Sequence, residues 1–241
     1  MCGSTLRHAG AGCRHVVTCH GRTETLSSSM LSIAQLLAQY LHHHPDESDK
    51  LARLVALTAH TTDASELVAR TNFVGHVTAS GFVLNADCSA VLLVHHRGLD
   101  MYLQPGGHVD PDEQSLLDAA RREIREETGL EVIDHVPTFT DFEIPFDIDS
   151  HYIPPNPRKG EPEHWHHDFR YVFHCPANTE LTLAQHEVAA ARWVPLDQLD
   201  QYPTFPDVAK KLSQIASAKA EKLKSRIING GTIVGAMGQS P

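Results

Sequence analysis

The stretch Pro105–Leu130, PGGHVDPDEQSLLDAARREIREETGL, limits what this chain can fold into more than any other. Proline fixes φ, and two following glycines allow backbone angles and close approaches denied to other residues, so Pro105, Gly106 and Gly107 predict a loop. Downstream, Ser115 with Asp118 makes a capping-box-like start, Leu116, Ala120 and Ile124 recur every four residues, and Gly129 stands where a helix would stop. The loop therefore feeds a helix of about four turns. Glu123, Glu126 and Glu127 lie on it at i, i+3 and i+4, which puts three carboxylates on one face. Ion pairs of Arg122 with Asp118 and Glu126, each four residues away, would suit a solvated helix. The loop adds a further carboxylate, Glu113, and an oxygen-only cluster of this kind is what Mg²⁺ or Mn²⁺ requires.

The stretch resembles the Nudix box, whose pattern is Gly, five residues, Glu, seven residues, then Arg-Glu-apolar-x-Glu-Glu-x-Gly-apolar. Gly107 and Glu113 match its first part, and Arg122, Glu123, Ile124, Glu126, Glu127, Gly129 and Leu130 match its second. One residue is inserted, since eight rather than seven separate Glu113 from Arg122, and Asp112 competes with Glu113 for the loop position. The resemblance implies an α/β fold, an α/β/α sandwich around a mixed sheet. It also implies metal-dependent hydrolysis of a pyrophosphate bond in a nucleoside diphosphate joined to another group. By the same resemblance Mg²⁺ or Mn²⁺ is held by Glu123, Glu126 and Glu127, the Gly107 carbonyl can join the shell, and Arg122 orients the first glutamate. Glu187 falls where some members carry a fourth metal-binding carboxylate; as an isolated acid it would equally be a solvated one. Such a cation would neutralise pyrophosphate charge and position a water, with a carboxylate as general base. Two other readings stand beside hydrolysis. A Nudix-fold sensor would bind a nucleotide-like ligand without turnover, although the complete glutamate set speaks against it. An isomerase acting on an allylic diphosphate would need an active-site cysteine, which neither Cys88 nor Cys175 resembles in context.

A length of 241 residues, 41% hydrophobic, suffices for one buried domain with appendages. The net charge of -10 argues against general affinity for nucleic acid or anionic membranes; the resemblance implies a small-molecule nucleoside diphosphate derivative as partner. No window is apolar enough for a transmembrane helix. Five cysteines without CxxC spacing read as reduced thiols of a cytoplasmic protein. Residues 1–29 hold three arginines, one acid and no apolar period, and read as a disordered leader, either a transit segment or an over-extended start.

Residues 30–70 read as a helical extension, similar to one that precedes the Nudix domain in a bacterial subfamily. Leu31, Ala34, Leu37 and Leu41 give the first helix, which Pro45 ends; a second runs from about Asp46 to His60 with Leu51, Leu54, Val55 and Thr58 inward; a third covers Asp63–Arg70. A lid, a homodimer contact and simple packing are all open to it. The catalytic domain is expected at 71–205, with strands at His76–Leu84 and Ala90–His95, then Glu131–His135 and Thr138–Ile144 after the box. Five prolines between Pro145 and Pro162 predict a long irregular loop. In the strand HWHHDFRYVFHC, His164, His166, Asp168 and Arg170 share one face. A half-exposed strand would place that row in water; the resemblance places it beside the substrate cleft, where Arg170 would meet a phosphate and the histidines substrate oxygens or a metal. His76 and His108 are further pocket candidates, with His108 expected near the metal because it follows Gly107. A strand and turn are expected over Ala189–Leu199, then a helix from Pro206 to about Ile228 and a mobile tail.

Overall fold

A computed structural model describes residues 31–131, 133–141, 143–177 and 179–230. The leader expected at 1–29 and the tail expected after residue 230 lie outside the described residues.

Three short helices come first, α1 (Ile33–His43), α2 (Ala52–His60) and α3 (Ala64–Val68), with a 3-10 turn at Pro45–Glu47. A capping box starts α1: the Ser32 hydroxyl accepts the Gln35 N–H, and the Gln35 side chain accepts the Ser32 N–H. The face it buries is Ile33, Leu36, Leu37 and Tyr40; of the expected row, Leu37 is buried and Leu31 and Leu41 pack partly buried against the same core. In α2, Leu54, Leu57 and Thr58 turn inward, and Val55, expected beside them, is 41% exposed. The 3-10 turn at Pro45 delays this helix to Ala52.

Eight strands make one mixed sheet: β1 (His76–Leu84), β2 (Ala90–His96), β3 (Met101–Leu103), β4 (Gly106–His108), β5 (Asp134–His135), β6 (Asp147–Ile153), β7 (His164–His174) and β8 (Val188–Pro195). β1 is buried throughout and pairs in parallel with β7, from His76↔His166 to Leu84↔His174. Its other edge is shared by two antiparallel partners, β2 at Val83–Leu84 and β4 at Thr78–Ser80. β2 continues to β3 and β8, and the far edge of β7 carries β6 and β5.

Helices cover both faces. α4 (Leu116–Thr128) lies against β1 with Ile124 over Gly81, and it shares a core with the N-terminal helices, Val77, Val83, Phe169 and Phe173. On the opposite face, Phe82, Leu84 and Val172 pack with Val208 and Leu212 of α5 (Pro206–Gly230). This is the expected α/β/α sandwich with helices ahead of it. The N-terminal helices are bound to the sheet by polar contacts as well. The Tyr40 hydroxyl donates to Glu47 and Asp147, Lys211 of α5 reaches the same two carboxylates, and Arg53 stacks over Trp165 at 4.4 Å.

Two expectations fail after the box. Thr138–Ile144 is not a strand: Pro137, which has no N–H to give a ladder, follows the short β5 pairing. Conversely, the proline-rich stretch is not all loop, because Asp147–Ile153 pairs antiparallel with β7 from Asp147↔Arg170 to Ile153↔His164. Pro145 lies before this strand and Pro154 after it, so neither interrupts the ladder.

Candidate metal centre

The box builds its geometry from the loop upward. Gly106 and Gly107 form β4, laid on β1 opposite Ser80 and Ala79. At Gly107 a Cβ would stand 2.7 Å from the Glu123 carboxyl carbon, so the absent side chain is the space the carboxylate occupies. Ser115 caps α4 by accepting the Asp118 N–H, and Gly129 ends it in the left-handed region at φ 72°. Arg122 gathers the carboxylates. Its Nε lies 2.9 Å from Glu113 Oε1, its Nη1 2.8 Å from Glu123 Oε1 and 3.0 Å from Glu126 Oε2, and its Nη2 donates to the His108 carbonyl at 2.8 Å. Glu113 therefore takes the loop position, and Asp112 is exposed; the inserted residue leaves the Arg122 contact intact.

Burial sets the electrostatics. Glu127 is 3% exposed, accepts the Gly106 N–H at 3.3 Å, and has its carboxyl pushed up to about 8 by burial and by the charge of Glu123. Glu123 is pushed up to about 7, again by burial first; Arg122 opposes the rise, while Glu126 and Glu187 add to it. Glu126 is half exposed. Glu187, just before β8, sits on a segment tied to the end of α4, where the Thr182 and Ala184 N–H groups donate to the Thr128 and Glu127 carbonyls. Glu123, Glu126 and Glu127 thus share the second half of α4, Gly107 stands against Glu123, and Glu187 is near enough for its charge to raise both Glu123 and Glu127. All donors are oxygen, Glu127 is buried and Glu123 nearly so, and the charge of Glu123 adds to the rise at Glu127, so the set fits a hard divalent cation.

Across more than half of the chain, residues 75–214 match the NUDIX domain. The chain belongs to the Nudix family. As such it is an enzyme of the Nudix pyrophosphohydrolase class. Solved structures similar to it include a NUDIX-family hydrolase from Clostridium perfringens, 20% identical, covering 59% of this chain and 97% of that one, TM-score 0.46. An Ap4A hydrolase from C. elegans in a binary complex is 17% identical, covering 60% and 98%, TM-score 0.45. The dihydroneopterin triphosphate pyrophosphohydrolase of E. coli is 15% identical, covering 59% and 95%, TM-score 0.47. No curated protein matches the chain.

The other residues singled out in this Nudix chain divide into two groups. Arg170 and Asp168 are 5% and 4% exposed. The Arg170 guanidinium gives Nε to Asp168 (3.1 Å), Nη1 to Asp147 (3.3 Å) and Nη2 to Asp149 (3.1 Å). Thr78, Ser80 and Gln104 donate to Asp168. This corrects the expectation that Arg170 meets a phosphate and Asp168 a substrate: both are spent on a buried ion cluster. Its second strand, with Asp147 and Asp149, was hidden among prolines, and DIDSHYI carries no clear period of two to reveal it. The histidines form the second group. His76, His108, His164 and His166 gather with ring centroids 4.6 to 5.3 Å apart. The His108 carbonyl accepts from Arg122, while its ring joins His76 and His166, on the side of β4 opposite to that on which Gly107 faces Glu123.

Gly107→Ala tests the cradle. The added methyl must displace the Glu123 carboxylate, and a shift approaching 1 Å is expected to lower turnover by about 100-fold, with the urea midpoint of unfolding little changed. Full turnover in this variant would show that the Glu123 position is not critical.

Proposed function

We propose that this Nudix chain hydrolyses a pyrophosphate bond in a nucleoside diphosphate linked to another group, with Mg²⁺ or Mn²⁺ held by Glu123, Glu126 and Glu127. The Gly107 carbonyl and Glu187 complete the protein side of the shell. The observation that carries this reading is the pair of buried carboxylates, Glu123 and Glu127, whose proximity is costly unless a cation joins them. When bound, the cation supplies positive charge to the pyrophosphate oxygens and to the attacking water. The residues supply position: Arg122 fixes Glu123 and Glu126 in one ion-pair network, the Gly106 N–H fixes Glu127, and half-exposed Glu126 faces the solvent from which substrate arrives. The partner is a small molecule and the setting cytoplasmic. No described helix is long and apolar enough to cross a membrane.

The test is a panel of dinucleoside polyphosphates, ADP-ribose, nucleotide sugars and oxidised nucleotides, incubated with Mg²⁺, with Mn²⁺ or with chelator, scoring nucleoside monophosphate, phosphate and pyrophosphate. Cation-dependent product identifies the substrate class. Binding without product under every cation would replace the hydrolase by the sensor.

The carboxylates also set a pH signature. Their folded pKa values lie above the ordinary carboxylate value, so the stability they contribute is full below that value and is lost as pH rises through about 7 and about 8. The metal-free protein is thereby destabilised on the alkaline side, and a divalent cation offsets the loss. The gain in melting temperature on saturation with Mn²⁺ is expected to be larger at about pH 8.5 than at about pH 6.5. The lower pH sits at the upper edge, and the higher one outside, of the window from the ordinary histidine value down to about 4 in which His108 and His167, lowered chiefly by burial, cost stability. Equal gains at the two pH values would remove Glu123 and Glu127 from the cation site.

A further inference from the structure

Beyond the glutamate centre, and independent of it, we propose that His76, His164 and His166 form a second cation site, one for a zinc-type divalent transition metal. One imidazole nitrogen from each lies within 4.8 Å of the other two. His164 Nε2 and His166 Nε2 are 3.2 Å apart. Two nitrogens bound at about 2.0–2.1 Å to one tetrahedral Zn²⁺ are separated by about 3.3 Å, so this pair already has the required spacing.

The tautomers point the same way. His164 Nδ1 is 2.8 Å from the Pro162 carbonyl, and His76 Nδ1 is 3.2 Å from the Asn72 carbonyl. A carbonyl only accepts, so both Nδ1 atoms carry the proton and both Nε2 atoms turn a lone pair into the cluster. A backbone carbonyl on the remote nitrogen is the outer contact that orients metal-binding histidines. His76 Nε2 is buried without a hydrogen-bond partner, on a residue that is 0% exposed. A lone pair so enclosed is costly unless a ligand meets it.

The placement is rigid. His76 and His166 are register partners on the parallel strands β1 and β7, and His164 lies two residues before His166 on the same face. The donor set is also selective: three imidazoles and no carboxylate suit Zn²⁺, Co²⁺ or Ni²⁺ and suit Mg²⁺ poorly, whereas the all-oxygen set on α4 has the opposite preference. Three protein ligands leave a fourth position open to a water or to an oxygen of a bound ligand. The His108 ring packs beside the cluster, its centroid 5.1 Å from that of His76 and 5.3 Å from that of His166.

Untagged protein stripped of metal and titrated with Zn²⁺ by calorimetry, in the presence of excess Mg²⁺, tests the site. One equivalent is expected to bind. His166→Gln, at a half-buried position, is expected to weaken binding by more than about 100-fold, exceeding the loss typical of an outer-contact change. A Glu126→Gln, Glu127→Gln double variant is expected to retain the equivalent, which separates this site from the glutamate centre. X-ray absorption on the Co²⁺-loaded wild-type protein reads nitrogen ligation with no substitution, so misfolding of a histidine variant cannot mask the answer. Absence of Zn²⁺ binding by the wild type, unchanged binding in His166→Gln, loss of the equivalent in the glutamate variant, or an oxygen-only Co²⁺ shell would each overturn the proposal.

Discussion

Glu127→Gln is expected to abolish most turnover while leaving the chain folded. Glu127 is the most buried glutamate of the α4 cluster and is held by the Gly106 N–H. Glutamine has the same shape and can accept the same hydrogen bond, but it brings no charge to a divalent cation. Cation stabilisation of the transition state is worth several kcal/mol, and at about 1.4 kcal/mol per tenfold the loss should be on the order of 1,000-fold. The same change removes a buried charge, so above about pH 7 the metal-free variant should be at least as stable as the wild type. Steady-state rates under saturating Mn²⁺, with thermal melts beside them, measure both effects. A variant that keeps a tenth or more of the wild-type rate would displace Glu127 from the cation site.

Arg170→Met should have the largest effect on stability. One guanidinium faces Asp147, Asp149 and Asp168 across β6 and β7. Burial alone would raise the carboxyls of Asp147 and Asp149, yet both lie below the ordinary range: at Asp147 Arg170, with Lys50 and Lys211, outweighs burial, and at Asp149 the His151 hydrogen bond does so together with Arg170. Methionine fills the space but leaves the carboxylates without their shared counter-charge. Removing one partner of a buried ion pair costs about 3–5 kcal/mol, a large part of a domain's margin. Arg170→Lys should recover little, since an ammonium is a compact charge and cannot reach three acids arranged around a planar fork. Urea unfolding measures the loss; a midpoint shift worth under about 1 kcal/mol would mean that Lys50, Lys211 and solvent already neutralise the cluster.

Legibility from sequence followed the length of the constraint. Pro105–Leu130 joins a cap, a helical period and a stop, each set by local chemistry, and the structure reproduces the helix with Ser115 as cap and Gly129 as terminator, whereas Gly106 and Gly107, expected in a loop, pair with β1 as β4. β1 was legible end to end because Val77, Ala79 and Phe82–Leu84 alternate with, and then follow, the polar His76, Thr78 and Ser80 with no proline to break the run. The face of α1 was misjudged in part because Ala34 and Leu41 fit the period but the Ser32 cap and the sheet beneath select Tyr40 and Leu36. β6 was masked by prolines that flank it. The fate of Arg170 was illegible for the same reason: two of its three partners lie on that unseen strand. The pairing of Glu113 with Arg122 across an inserted residue needed three dimensions, because spacing alone left Asp112 and Glu113 as equal candidates.

The most direct test of the metal-dependent hydrolase is turnover of the diphosphate panel in ¹⁸O-labelled water with Mg²⁺ or Mn²⁺, with products read by mass. Attack of water on phosphorus predicts one labelled oxygen in a phosphoryl product, from the wild type only and only with cation present. Label appearing elsewhere in the products, equal label in the chelated enzyme, or ligand binding with no product at all would contradict it.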